Sequence, residues 1–90
     1  MRFTWDPAKA EINAANHDVS FEEAQEVFSD RNMLETFDEL HSENERRYFA
    51  IGLSTRRLLT VVFAEPDDQT VRIISAWKST QKEKQIYEEN

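Results

Sequence analysis

Arg72 and Lys78 bracket the segment Val71-Arg72-Ile73-Ile74-Ser75-Ala76-Trp77-Lys78, two charges set in otherwise apolar surroundings. The segment reads as a buried strand running into a helix cap, and a rigid strand can hold a charged group in fixed geometry. Nearby in sequence are Arg56, Arg57, Glu65 and the tyrosines Tyr48 and Tyr87, with His41 in a polar loop beside Glu43 and Glu45. These residue types suit one metal-free reaction. RNA can be cut by its own 2′-hydroxyl attacking the adjacent phosphate, and the protein then supplies a base, an acid and cations for the charge gathering on phosphorus. His41 or Glu65 can exchange protons. Arg72, Lys78, Arg56 and Arg57 can hold phosphate, and Tyr48 or Tyr87 can stack on a base. Composition alone favours duller roles: a salt bridge from Arg72 to a helix carboxylate, and a merely exposed loop histidine at His41.

Other chemistries have no footing. The chain has no glycine-rich phosphate loop, nucleophile elbow, metal-binding helix motif or Cys/His cluster. It has no cysteine, which excludes a disulfide scaffold and fits a reducing compartment. With two histidines far apart, a histidine metal site is not expected, and His17 at a helix end reads as structural. No cofactor is implied. The start of the chain shows no charged-then-apolar leader, and no apolar run approaches the ~20 residues that span a bilayer. A soluble cytoplasmic protein without membrane contact is therefore the expectation.

The formal charge of −7 argues at first against nucleic acid. Its distribution is uneven. Residues 1–45 hold 12 Asp and Glu against 3 Lys and Arg, whereas residues 46–90 hold 6 against 8. A local phosphate-binding surface in the second half survives the unfavourable total, although two solvated faces explain the same pattern.

The elements that must position these residues form a single domain, 1–90. Arg2 to Trp5 alternates as a short edge strand. Asp6-Pro7 starts a helix that runs to about Asn16, and Asp18 is placed to close it in the left-handed conformation. Ser20-Phe21-Glu22-Glu23 is a capping box opening a second helix to about Ser29, with Val19 stapled against the stripe Phe21, Ala24, Val27 and Phe28. The period then changes from 3.6 to 2. Strands are expected at Met33–Asp38, Arg47–Ser54, Leu58–Ala64 and Thr70–Ala76, the third of these central and covered on both faces. On the Arg47–Ser54 strand, Tyr48, Ala50 and Gly52 share a face, which leaves either a shallow channel or a site of close packing. Thr80-Gln81-Lys82-Glu83 is a second capping box, starting a helix with Ile86 and Tyr87 to bury. The class is α+β, in the order β-α-α-β-β-β-β-α, with an antiparallel sheet and helices packed mainly on one face.

Several separated stretches also resemble the BrnT family of bacterial toxins. They are Phe3-x-Trp5-Asp6-Pro7-x-Lys9-Ala10, His17-x-Val19-Ser20-Phe21-Glu22-Glu23-Ala24, His41-Ser42-Glu43, and Arg47-Tyr48 leading to Ile51-Gly52-Leu53-Ser54. The most specific is Arg72-Ile73-Ile74-Ser75-Ala76, with Lys78, Thr80, Glu83 and Tyr87 following. The resemblance implies a RelE-like fold and a metal-independent endoribonuclease that inhibits translation. It also implies a BrnA-like, DNA-binding antitoxin that neutralises the toxin and represses the operon with it. His41, Glu65, Arg72, Lys78 and Tyr87 are the expected catalytic group, and Arg56, Arg57 and Tyr48 the expected RNA-binding group. Pro66 and Trp77 stand where the family pattern carries arginine. The alternative is a catalytically weakened homologue retained as an antitoxin-binding module. Under either reading the acidic first half can pair with basic segments of an antitoxin.

Overall fold

The computed structural model describes residues 1–90. The chain runs β1 (Arg2–Thr4), α1 (Pro7–His17), α2 (Phe21–Glu26), β2 (Leu34–Phe37), β3 (Arg47–Leu53), β4 (Leu58–Asp67), β5 (Thr70–Lys78) and α3 (Gln81–Glu89). Short 3-10 turns at Val27–Ser29 and Glu39–His41 complete it, so the second helix tightens three residues before its expected end. No helix is long and apolar enough to cross a membrane.

The helix starts obey local chemistry. The Asp6 carboxylate accepts the Ala8 N–H at 2.9 Å with Pro7 at the first helical position, and Asp18 closes α1 at φ 57°. Thr80 and Glu83 form the full reciprocal box at α3. At α2 only half the box forms. Ser20 accepts the Glu23 N–H at 3.0 Å, but the Glu23 side chain turns elsewhere.

The sheet order is β1-β5-β4-β3-β2. β2 to β5 follow one another with no α-helix between them and pair antiparallel, but β1 pairs with β5 in parallel, Phe3 opposite Val71. The sheet is therefore mixed, not antiparallel throughout as the sequence suggests. The physical reason is that β1 is separated from its partner by the whole domain, and two intervening helices remove the constraint that a tight turn imposes.

Alternation along β4 puts Leu59, Val61 and Phe63 on one face and Thr60, Val62 and Ala64 on the other. The first face carries the core, where Val19, Phe21, Ala24 and Val27 pack with Ala50, Leu59, Val61, Phe63, Val71, Ile73 and Ala76. Gly52 belongs to this face, and a Cβ there would stand 2.7 Å from Cγ1 of Val27. The small residues of β3 thus mark close packing and no channel. α3 meets the second face: the Thr60 hydroxyl donates to Glu83 at 3.0 Å. Ile86 stays 47% exposed, so α3 is held by polar ties more than by the apolar burial expected of it.

Two buried polar side chains anchor the helices to the sheet. Beyond Thr4, the outer edge of β5 has no strand beside it. Asn13 of α1 fills that place, donating its amide to the Ala76 carbonyl at 2.9 Å and accepting the Ala76 N–H at 3.0 Å, as a neighbouring strand would. It also donates to Val19 O at 3.0 Å and accepts from Ser75 Oγ at 3.1 Å. Glu23 is the second anchor. Nε and Nη2 of Arg57 grip its two oxygens at 3.0 and 2.9 Å, and Ser54 Oγ donates at 2.8 Å. A charged two-pronged donor outcompetes the single backbone N–H that a capping box offers.

Asn13→Leu should lower unfolding free energy by about 2–4 kcal/mol in urea titrations, because it strands a buried N–H and a buried carbonyl. A loss below about 1 kcal/mol would show that the edge of β5 finds other partners. Glu23 also sets an acid limit. The Arg57 hydrogen bonds, against burial and with help from Ser54, hold its carboxyl below the ordinary 4.5. Its stabilisation is complete above that pH and is lost as pH falls through the lowered value, since the unfolded chain binds the proton first. Glu23→Gln should be less stable at neutral pH and lose less further stability between about pH 5 and about pH 3 than the parent. Equal losses would mean that Asp30, Glu45 and Glu83, also lowered, carry the whole effect.

Candidate functional site

The residues expected to do chemistry do not gather in one place. Arg72 and Lys78 lie at opposite ends of β5, six residues apart, which is roughly 20 Å at the rise of a strand. Each end has its own company.

At the Lys78 end are Arg56 and Arg57, in the turn before β4. Arg57 is only 20% exposed and fully engaged: besides Glu23, its Nη2 donates to the Asp18 carbonyl at 2.6 Å. Arg56 is 68% exposed and stands 3.6 Å from Glu23. Lys78 is exposed and lines an open concavity with Asn16, His17 and Trp77. Trp77 is tied in on both sides. Its Nε1 donates to Glu83 at 3.1 Å, and its ring lies 6.2 Å from that of His17. Tyr87 holds α3 down by donating its hydroxyl to Asp30 at 2.6 Å. That hydrogen bond, then burial and the Asp30 charge, push the tyrosine up to about 12. Its proton is therefore firmly held. Asp30 also accepts the Leu53 N–H at 2.8 Å, so one carboxylate joins α3 to the end of β3.

The other end brings together His41, Arg47 and Arg72. Arg47 and Arg72 flank Ala64 in register, and hence share the second face of the sheet. Glu45 lies between them, 3.5 Å from Arg47 Nε and hydrogen-bonded to Arg72 Nη2. The Arg72 hydrogen bond, outweighing burial and aided by Arg47, holds the Glu45 carboxyl below its ordinary range. Two guanidiniums share this one carboxylate, with the carboxylates of Glu43 and Asp38 in the loop beside them. Alongside runs an open concavity lined by Leu40, His41, Glu43, Asn44, Glu45 and Arg47.

His41 is 65% exposed, and its Nδ1 stands 2.9 Å from the Asp38 carboxylate. Asp38 is buried, at 8% exposure. A buried carboxylate on the Nδ1 side turns Nε2 away from it, the arrangement that orients a histidine base. The loop behind it is held by Ser42, whose hydroxyl accepts the Arg47 N–H at 2.9 Å and donates to the Asp38 carbonyl.

Glu65 and Tyr48 follow Ala64 and Arg47 in sequence, and so face the other way, toward the core side of the sheet. Tyr48 stacks on Phe63 at 5.2 Å and meets the Phe37 edge at 5.5 Å. Pro66 sits where the β4–β5 register slips between Ala64 and Asp67, a position that needs no ladder N–H.

Sequence reasoning passed over Asp38, Glu45 and Arg47 as site residues. The Asp38–His41 spacing of three was a usable signal, since such residues face each other on a helical turn. Nothing local announces that Glu45 meets Arg72, 27 residues on.

Comparison with known proteins bears on this arrangement. No curated protein matches the chain. The 1.1 Å crystal structure of the Brucella abortus ribonuclease toxin BrnT matches it with a TM-score of 0.66 at 21% identity, over 90% of this chain and 99% of that one. At that identity the likeness is one of fold. The family model for the ribonuclease toxin BrnT of type II toxin–antitoxin systems matches residues 5–83, nearly the whole domain. The chain therefore belongs to the BrnT family of ribonuclease toxins of type II toxin–antitoxin systems.

Proposed function

We propose that this chain is an endoribonuclease whose cleavage site is the end of the sheet where His41, Arg47 and Arg72 meet. The observation that carries the reading is the pairing of two guanidiniums on Glu45 beside a histidine oriented by a buried aspartate. In this mechanism His41 Nε2 takes the proton of the 2′-hydroxyl, and the freed oxygen attacks the adjacent phosphorus. The new O2′–P bond forms as the P–O5′ bond breaks, and the departing 5′-oxygen takes a proton from water. Arg47 and Arg72 turn from Glu45 toward the phosphate as its charge grows, which is where fixed cations contribute most. Their guanidiniums offer the two-pronged geometry that phosphate oxygens accept.

On this reading Lys78, Arg56 and Arg57 stand too far away to touch the same phosphate, and they serve further along a bound strand or in the fold. Tyr87 acts as a positioning residue for α3. The cellular consequence is arrested translation in the cytoplasm by a RelE-like toxin, relieved by a BrnA-like antitoxin that also binds operator DNA. One observation favours the second reading, a weakened homologue kept as an antitoxin-binding module. Arg47, Arg56, Arg57 and Arg72 each already face a carboxylate.

Incubation of purified protein with RNA separates the two. The parent should cut, His41→Gln should cut at least about 100-fold more slowly, and Arg72→Ala should lose about 100-fold. Lys78→Ala should stay within about threefold of the parent, a change of under 1 kcal/mol in barrier. Intact RNA with the parent protein, together with normal growth on induced expression, would leave only the binding-module reading.

A further inference from the structure

The core side of the sheet is not covered along its whole width. α1 and α2 lie mainly over β5 and β4, and the 3-10 turn Val27–Ser29 over the Gly52 end of β3, whereas β2 and the Tyr48 end of β3 are the least covered part of the sheet. On this stretch a ladder of rings comes to the surface. Phe3 meets Phe28 at 5.2 Å, Phe28 meets Phe63 at 5.0 Å, Phe63 stacks on Tyr48, and Tyr48 meets Phe37. The ladder passes through the core at the fully buried Phe63 and ends at Phe37, which is 46% exposed. Unlike the other exposed apolar side chains, Phe37 continues a packed row of rings, so its exposed ring is held in place by Tyr48.

Two of the three charges on this face are negative, the third being the exposed Arg46, whose carbonyl accepts the Glu65 N–H across the strands. Glu35 shares the face with Phe37, two residues away on β2, and Glu65 shares it with Phe63 on β4. Neither takes part in any of the chain's five ion pairs. Partial burial, then the charge of Glu65, raises the Glu35 carboxyl above its ordinary value. The contrast with Glu23, Asp30, Glu45 and Glu83 is informative, because those carboxyls are lowered by the donors they hold. Glu35 lacks such a donor in the free chain.

We propose that this face, with Phe37 and Tyr48 as its rings and Glu35 and Glu65 as its carboxylates, docks the antitoxin through a segment that presents arginine or lysine between apolar side chains. A guanidinium can lie over an aromatic face and meet a carboxylate at the same time. Aromatic and arginine pairs of this kind are the usual energetic centres of protein interfaces. Charge decides against RNA as the occupant. Rings alone would stack on bases, but Glu35 and Glu65 outnumber the single Arg46 on this face, and the negative balance repels the phosphates that must follow. The face lies opposite the Arg47–Arg72 side of the sheet, so docking here leaves the cleavage site on the far side. The inference rests on the antitoxin that the family implies, and not on the catalytic reading.

Titration calorimetry of the full-length chain with the antitoxin encoded beside it tests this, alongside RNA cleavage by the same preparations. Phe37→Ala should weaken antitoxin binding at least about 10-fold. Glu35→Lys should weaken it about 100-fold or more, by setting like charges together. Glu35→Gln should give a smaller loss and a flatter dependence on salt. Both carbon skeletons at position 35 are exposed on a surface strand, so circular dichroism should show the parent fold. RNA cleavage by the Glu35 variants should match that of the parent. Antitoxin affinity unchanged in Phe37→Ala and Glu35→Lys would overturn the proposal. A loss of RNA binding with antitoxin affinity intact would also overturn it, and would make the face a base-stacking platform. If the parent chain fails to cut RNA but these antitoxin effects appear, the docking proposal stands and the catalytic reading falls.

Discussion

The sheet ends in an unpaired edge beside β5, and the fold depends on how Asn13 closes it. β1 is three residues long and covers only Thr70 to Arg72. Past that point the Ala76 N–H and carbonyl would face outward with no strand to receive them. The Asn13 side chain supplies an acceptor and a donor in the spacing of a peptide unit, and its remaining hydrogen bonds reach Val19 and Ser75. A single amide thus sets where α1 lies against the sheet and where the chain enters α2. Because α1 has Asn13 as its one buried residue, the docking of this helix is a matter of hydrogen bonds more than of apolar area.

Carboxylates do comparable work elsewhere. Glu23 gathers Arg57 and Ser54 and ties the β3–β4 turn to α2, Asp30 joins Tyr87 to the Leu53 backbone, and Glu83 joins α3 to Thr60 and Trp77. A chain with 18 acidic and 11 basic residues can give several carboxylates structural duties and still keep unpaired ones on its surface. The charge of −7 is consequently no measure of the sheet end where Glu45 faces two arginines. Local balance governs phosphate binding, because charges beyond about 8 Å are largely screened at physiological salt.

The separation of Arg72 from Lys78 follows from strand geometry. Both belong to one sequence segment that looks like a single functional unit, yet an extended chain spreads six residues over the width of the domain. Arg72 and Arg47 converge although 25 positions separate them, since β4 lies between their strands and sets both in register with Ala64. Trp77 sits next to Lys78 but packs between α1 and α3, which gives it a structural task of its own.

The sequence by itself determined whatever is decided within a few residues. The Asp6-Pro7 start, the Asp18 stop, the Thr80 capping box, the alternating runs of the strands and the family motifs were all legible, because dihedral preference and capping act locally. Tertiary structure alone decided the rest. The parallel pairing of β1, the choice of Glu23 for Arg57 over its own helix cap, the Glu45–Arg72 pair and the exposed end of the aromatic ladder all depend on which distant groups meet. A carboxylate takes the strongest donor within reach, and reach across 27 or 34 residues is set by the folded chain.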